Sequence, residues 1–358
     1  MFNFRVQNSE FRDRGNRVIN RPSISPIANC LLVAAISLTG CTKENQTVTT
    51  QEKPQVVASS SILCDLTQQI AQDTVELNCL MAPEQDPHTY VTTPSNRKAM
   101  ETATLIFYGG YQLAPSIENL VKAINTSAPK VAVYEEAVPE PLQSEHHHHE
   151  EEEHHHEEEE HHHEEEENHH EEELEPDPHV WHNVQNGIAI VGVIEEKLAE
   201  INPEQAQRYA QNAEQLKGQL EELDAWVKQQ VATIPEGQRT LVTTHDAFNY
   251  YSQAYGFESS EALQGMSTEE KPTATRVKEL VEKVEETKVP TIFAEVTANN
   301  QVIGTVAREA KVKVSERELF TGALGSKEDE AGTYRGAIAA NTCTIVNGLG
   351  GECTPFNR

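Results

Sequence analysis

Between residues 204 and 234, apolar side chains recur with a helical period. Tyr209, Ala213, Leu216, Leu220, Leu223, Val227, Val231 and Ile234 follow a 4-3-4-3-4-4-3 spacing. That spacing places all eight on one stripe of an α-helix. A helix over this span is about 45 Å long at 1.5 Å per residue. One small domain does not need that length, so either a coiled-coil partner or a strut between two lobes must use it. The flanking segments favour the strut.

Upstream, short apolar runs at 55–60, 75–81, 104–108 and 130–134 read as strands, with helical spacing at 65–73 and 116–124. An amphipathic helix at 188–201 leads into the strut. Downstream the pattern restarts, with strands at 240–244, 291–294 and 312–315 and helices at 246–255, 276–287, 301–310 and 333–349. Strands alternating with helices predict βα units and parallel sheets. The expected fold is α/β, with two lobes, each a parallel-type sheet flanked by helices, joined by one long rigid helix. The expected boundaries are 54–203 for the first lobe, 204–235 for the linking helix and 236–358 for the second lobe.

One segment cannot join either core. Twelve of the sixteen histidines fall in a tract that reads HHHHEEEE, HHHEEEE twice and NHHEEE. They are His146, His147, His148, His149, His154, His155, His156, His161, His162, His163, His169 and His170. No apolar residue lies between His146 and Glu173, so nothing offsets the entropy of ordering, and a disordered, solvated loop over 145–173 is expected. Its composition points to low-affinity metal binding. Its sixteen glutamates supply more than half of the formal net charge of −30. The chain has no basic patch to neutralise phosphates, which argues against a nucleic-acid partner. Cations are the natural partners of such a field.

The N-terminus carries an export pattern. Arg5, Arg12, Arg14, Arg17 and Arg21 precede the apolar run 27–38, which is too short to span a bilayer comfortably and suits a signal peptide. Leu38-Thr39-Gly40-Cys41 resembles the bacterial lipobox, which implies cleavage after residue 40 and a lipid on Cys41. The alternative is an ordinary signal peptide with an incidental cysteine. Residues 41–53 then form a flexible tether. With Cys30 removed and Cys41 acylated, Cys64, Cys79, Cys343 and Cys353 remain. An even number in an exported chain suggests disulfides, with three pairings open. Closeness in sequence favours Cys64–Cys79 and Cys343–Cys353, and buried free thiols are the alternative. The spacing lacks the short knuckles of a structural zinc site.

Four histidines lie outside the tract. His88 follows the second strand in Asp86-Pro87-His88, and His179 stands in Asp177-Pro178-His179, the same tripeptide. His245 directly follows the strand at 240–244. Ligands of open α/β sheets bind beyond the carboxyl ends of strands, where His88 and His245 sit. Proline stiffens each loop and lowers the entropy lost when the ring is fixed. Three imidazoles suit Zn(II), whereas harder ions such as Mn(II) favour added carboxylates. His182 is a weaker candidate. It lies close enough to contribute if the loop turns, but an outer or surface position is the simpler reading. Trp181 is expected to pack. Asp86, Asp177 and Asp246 are candidates to orient imidazoles, and each is equally suited to cap a turn. The chain has neither an HExxH helix nor a Gly-x-Ser-x-Gly elbow, so an enzyme is not expected.

These residues resemble the metal-specific solute-binding proteins of bacterial ABC importers, the zinc receptors most of all. The matching motifs are Asp86-Pro87-His88-Thr89-Tyr90 with Thr93-Pro94-Ser95, Asp177-Pro178-His179-Val180-Trp181, Thr244-His245-Asp246-Ala247-Phe248, and Tyr334 through Gly348 including Asn341. The resemblance covers about residues 55–350. It implies metal held in the cleft by His88, His179 and His245. It also implies delivery of Zn(II) to a cognate ABC permease with its cytoplasmic ATPase, at the periplasmic side of the membrane, by a monomer. Histidine at the third position is the zinc-receptor pattern, where manganese receptors often carry glutamate. Many members place a fourth ligand, aspartate, where this chain has Gly322, which leaves that position to water or another residue. A His-rich insertion before the second ligand is also a zinc-receptor feature. The tract can then serve as a zinc antenna, as a sensor of excess, or as a solvated acidic loop. A manganese receptor of the same family, or a periplasmic metal buffer or chaperone without a permease, are the alternatives.

Overall fold

A computed structural model describes residues 52–145 and 174–356. The expected signal segment, Cys41 with most of the expected tether, and all twelve tract histidines lie outside the described residues.

The chain opens with β1 (Gln55–Ala58), α1 (Ser61–Ala71), β2 (Glu76–Cys79), α2 (Pro94–Glu101), β3 (Leu105–Tyr108), α3 (Pro115–Ala123), β4 (Lys130–Ala132) and α4 (Val133–Ala137). Its four strands are all parallel, in the order β2-β1-β3-β4. Alternate residues of β1 serve the two faces: Val56 and Ala58 join the main core, and Val57 joins a second cluster with Ile106, Met100 and Ile117. A parallel sheet covered on both sides requires this near-continuous apolar run.

One local reading changes, and one helix went unread. Residues 130–134 were expected to be one strand, but the ladder stops at Ala132, and Val133 and Tyr134 begin α4. The Tyr134 N–H donates to the Gly109 carbonyl (3.0 Å), which turns the chain off the sheet. Helix α2 had no apolar period to betray it, since it buries only Asn96 and Met100. Its start is set instead by a capping box between Thr93 and Asn96 with Pro94 at the first turn.

A short antiparallel ribbon, β5 (Gln143–Glu145) with β6 (Leu174–Pro176), pairs the two ends from which the tract departs and to which it returns. A 3₁₀ turn at Val180–His182 leads to α5 (Val184–Ile201) and then to α6 (Ala206–Val231). Helix α6 is the expected strut, 26 residues long, and it buries Tyr209, Ala213, Leu216, Leu220, Leu223, Val227 and Val231. Ile234 is also buried, just past its end. Its stripe packs on α1 and α5 of the first lobe. It also packs on α10, the last helix of the second lobe, so one core runs from Val56 to Leu349.

The second lobe comprises β7 (Thr240–Thr243), α7 (Asn249–Tyr255), β8 (Ser259–Ala262), α8 (Ala274–Thr287), β9 (Thr291–Ile292), α9 (Gln301–Ala310), β10 (Lys313–Val314) and α10 (Tyr334–Gly348). β7 pairs with β8 and β9 with β10, both in parallel. A hydrogen bond from the Phe293 N–H to the Val242 carbonyl (2.8 Å) brings the end of β9 beside β7. The described strands of the second lobe thus form two two-stranded parallel sheets, placed side by side where the end of β9 meets β7. β8 went unread in the sequence because Ser-Ser-Glu-Ala carries almost no apolar signal.

Disulfides join Cys64 of α1 to Cys79 at the end of β2, and Cys343 of α10 to Cys353, with Cα separations of 5.7 and 5.1 Å. They close loops of sequence separation 15 and 10. Crosslinks of this kind typically contribute about 2–4 kcal/mol.

Candidate metal centre

Both Asp-Pro-His loops fold by the same local rule. Asp86 Oδ1 accepts the backbone N–H of His88 (3.0 Å), and Asp177 Oδ1 accepts that of His179 (2.9 Å). Each is an aspartate closing a turn on the residue two places on, with proline fixing the backbone between. His245 is placed by the end of β7, where Thr243 Oγ1 donates to the His245 carbonyl (2.9 Å).

The three imidazoles come together. Their ring centroids are 5.3, 5.6 and 5.2 Å apart, close to an equilateral triangle. One ligand atom from each lies within 4.8 Å of the others, and among the described residues this is the only such group of three or more metal-ligating side chains. His88 Nε2 and His179 Nε2 are 3.2 Å apart. Two nitrogens on a tetrahedral ion at zinc–nitrogen distances would be separated by about 3.3 Å.

The opposite edges of two rings are held by carboxylates. Asp177 Oδ1 also bonds His179 Nδ1 (2.9 Å). Glu295 bonds His245 Nδ1 through Oε2, while its Oε1 accepts the backbone N–H of Thr244 (2.8 Å) and of His245 (2.9 Å). Both carboxylates are fully buried. A proton on each Nδ1 leaves the Nε2 lone pairs facing the centre. His245 Nε2 is itself buried with no hydrogen-bond partner among the described residues, as a nitrogen kept for a metal would be.

Protonation follows from this packing. Burial, followed by repulsion from the neighbouring imidazoles, holds His88 well below the ordinary histidine range. Burial and His245 do the same to His179. Burial pulls His245 down as well, but the Glu295 carboxylate outweighs it and raises the ring. Burial pushes Asp177 up to about 6, against the hydrogen bonds it accepts from His179 and Asn249.

Two of the three aspartates proposed as orienting groups do other work. Asp86 binds its own turn and reaches Thr268 across the cleft instead of a ring. Asp246 accepts from Ser144 (3.2 Å) at the foot of the ribbon. Glu295 was missed by the sequence reading, and its signal was an acid directly after the apolar run Thr291-Ile292-Phe293-Ala294. His182 is neither a surface residue nor part of the cluster. It is buried, stacked on Phe248 with centroids 4.5 Å apart, and neither of its ring nitrogens has a hydrogen-bond partner among the described residues. Trp181 packs as expected, and its Nε1 donates to the Thr321 carbonyl (3.1 Å). At Gly322 a Cβ atom would lie 2.6 Å from Cδ of Pro87. The first Asp-Pro-His loop therefore occupies the space that a side chain there would need.

Two α/β lobes on a shared long helix, with three imidazoles converging between them, define a metal-binding receptor. The chain belongs to the family described as zinc-uptake complex component A, periplasmic, whose model matches residues 56–348. It is 30% identical over 330 residues to the manganese-binding lipoprotein MntA of Bacillus subtilis, covering 89% of this chain and 97% of that one. It is 29% identical over 327 residues to the manganese ABC transporter substrate-binding lipoprotein PsaA of Streptococcus pneumoniae, covering 89% and 96%. The solved periplasmic zinc-binding protein TroA of Treponema pallidum superposes with a TM-score of 0.71 at 31% identity, over 83% of this chain and 99% of that one. The family is one of periplasmic receptors that bind a divalent metal for ABC transporters.

Proposed function

We propose that this receptor is specific for Zn(II), held by His88, His179 and His245 and handed to an ABC permease with its ATPase. The observation that carries the reading is the donor set: three imidazoles and no carboxylate within the group. Harder Mn(II) favours carboxylate oxygen, and Gly322 packed on Pro87 leaves no room for one at that position. The manganese alternative draws on the names of the relatives, MntA and PsaA. A competition titration separates the two: a large excess of Mn(II) is expected to leave bound Zn(II) in place, and displacement at comparable concentrations would reverse the assignment.

In this reading Cys41 carries the lipid that keeps the receptor at the membrane. The His/Glu-rich tract acts as a low-affinity zinc antenna. Its support is the composition of residues 145–173 and the position of the β5–β6 ribbon, whose second strand ends at Pro176, directly before Asp177. Deleting 146–173 is expected to remove the weak sites and leave one tight site in a zinc titration. Loss of the tight site as well would overturn the separation of the two.

A further inference from the structure

The three imidazoles are not equally reachable. His179 and His245 are 0% and 1% exposed, whereas His88 retains 7%. What little exposure the three ligand residues keep therefore lies at His88. There the surface forms a recess of about 520 Å³, with His88 at its edge. The first lobe supplies almost all of its lining, including Thr89, Thr92, Ser116 and Asn119. One residue comes from the second lobe, Glu269, and among the described residues it is the one formally charged side chain that lines the recess.

Glu269 is held at that position by its neighbour. Thr268 Oγ1 donates across the cleft to Asp86 Oδ2, and Asp86 closes the turn that presents His88. The Glu269 N–H donates to Ser267 Oγ (3.2 Å). The same aspartate thus sets the ligand and ties down the loop that carries the carboxylate.

We propose that Glu269 is the entry carboxylate of the metal site, a transient oxygen ligand that meets the hydrated divalent cation in the recess and passes it to His88. The inference rests on the three-histidine reading of the site. A carboxylate at the mouth concentrates cations and takes the place of one water of hydration. The transfer to His88 Nε2 then replaces a weak oxygen contact with a stronger nitrogen one. Because the same contact serves exit, it accelerates both directions. The Thr268 tie fixes the backbone that carries Glu269 at the recess that His88 also lines, which keeps the exposed carboxylate within reach of the mouth.

The test is stopped-flow metal binding to the full mature chain, with Zn(II) and with Mn(II) used separately, so that a receptor for either ion gives a readout. Glu269→Gln is expected to slow association about threefold to tenfold at low ionic strength, at or below the bottom of the range for steering by a whole charged cleft, since one charge is removed. The difference should shrink as salt screens the mouth. Dissociation should slow with it, and Glu269→Asp should recover most of the rate. Thr268→Val, which keeps the carboxylate but removes its tie, should fall between Glu269→Gln and the unaltered chain. Association of Glu269→Gln at the unaltered rate would overturn the proposal. So would faster dissociation, which would make Glu269 a resident ligand instead of an entry contact. An unaltered rate in Thr268→Val would overturn the tie. Failure of the three-histidine reading itself would show differently, as a His88→Ala variant that keeps the tight site in an equilibrium titration.

Discussion

The two Asp-Pro-His segments share a tripeptide and a turn, yet their aspartates do different work. In both, Oδ1 accepts the backbone N–H of the histidine. At Asp177 the same oxygen also holds the imidazole, in a fully buried pocket beside Asn249. At Asp86 the second oxygen turns outward, to Thr89 and across the cleft to Thr268. A local motif sets where a ring begins, and its surroundings decide whether the acid serves the ring or the opposite lobe. One turn builds a fixed ligand and the other a link between lobes.

Substituting the acids one at a time separates these roles. Asp177→Asn is expected to weaken metal binding by about 10–100-fold, the usual cost of losing a carboxylate that orients a ligating histidine. A competing chelator in an equilibrium titration measures it, and a change below about twofold would place the control of His179 elsewhere.

The pH dependence should show the next largest contrast. Protons compete with the metal for the free site, so affinity falls as pH falls. His245, raised by the Glu295 carboxylate against the pull of burial, is the first ring to compete as pH falls. His88 and His179, held low, stay neutral and available until well below it. Asp177 adds an inflection as it protonates near its value of about 6. Affinity should therefore decline gently near neutrality and steeply below about 6. Titrations at a series of pH values should show that inflection disappear in Asp177→Asn and persist in Asp86→Asn. A single three-proton step centred at the free-histidine value of about 6.5 would contradict the split.

The smallest effect belongs to Asp86→Asn. An amide oxygen still accepts the His88 N–H, and no ring loses its partner, so equilibrium affinity should move by less than about tenfold, under the range for an orienting carboxylate. The link to Thr268 weakens, so binding kinetics should change more than the affinity does. An affinity loss equal to that of Asp177→Asn would erase the distinction between the two turns.

Much of this arrangement was legible in the chain. The strut appeared because an amphipathic helix writes its period directly into the sequence, and α6 buries the stripe that the spacing named. His88, His179 and His245 stood out because a histidine just past a strand or in a proline-stiffened loop is a local signal. Elements without apolar periodicity, such as α2 and β8, left no such trace. Glu295 was hidden for another reason. It lies 50 residues from His245, and the two meet only because the end of β9 lies beside β7.

By itself the sequence determined the periodic and the local: two βα halves, the long helix between them, the candidate ligands, and the composition of a tract with no apolar residue. Tertiary structure decided which carboxylate holds which ring, that His182 is buried against Phe248 outside the cluster, that Pro87 packs where a side chain at Gly322 would need space, and that His88 is the least buried of the three ligand residues. Periodicity and turn chemistry depend on neighbours a few residues away and can be read along the chain. Second partners and access depend on which strand ends and loops are brought side by side, and only packing sets that.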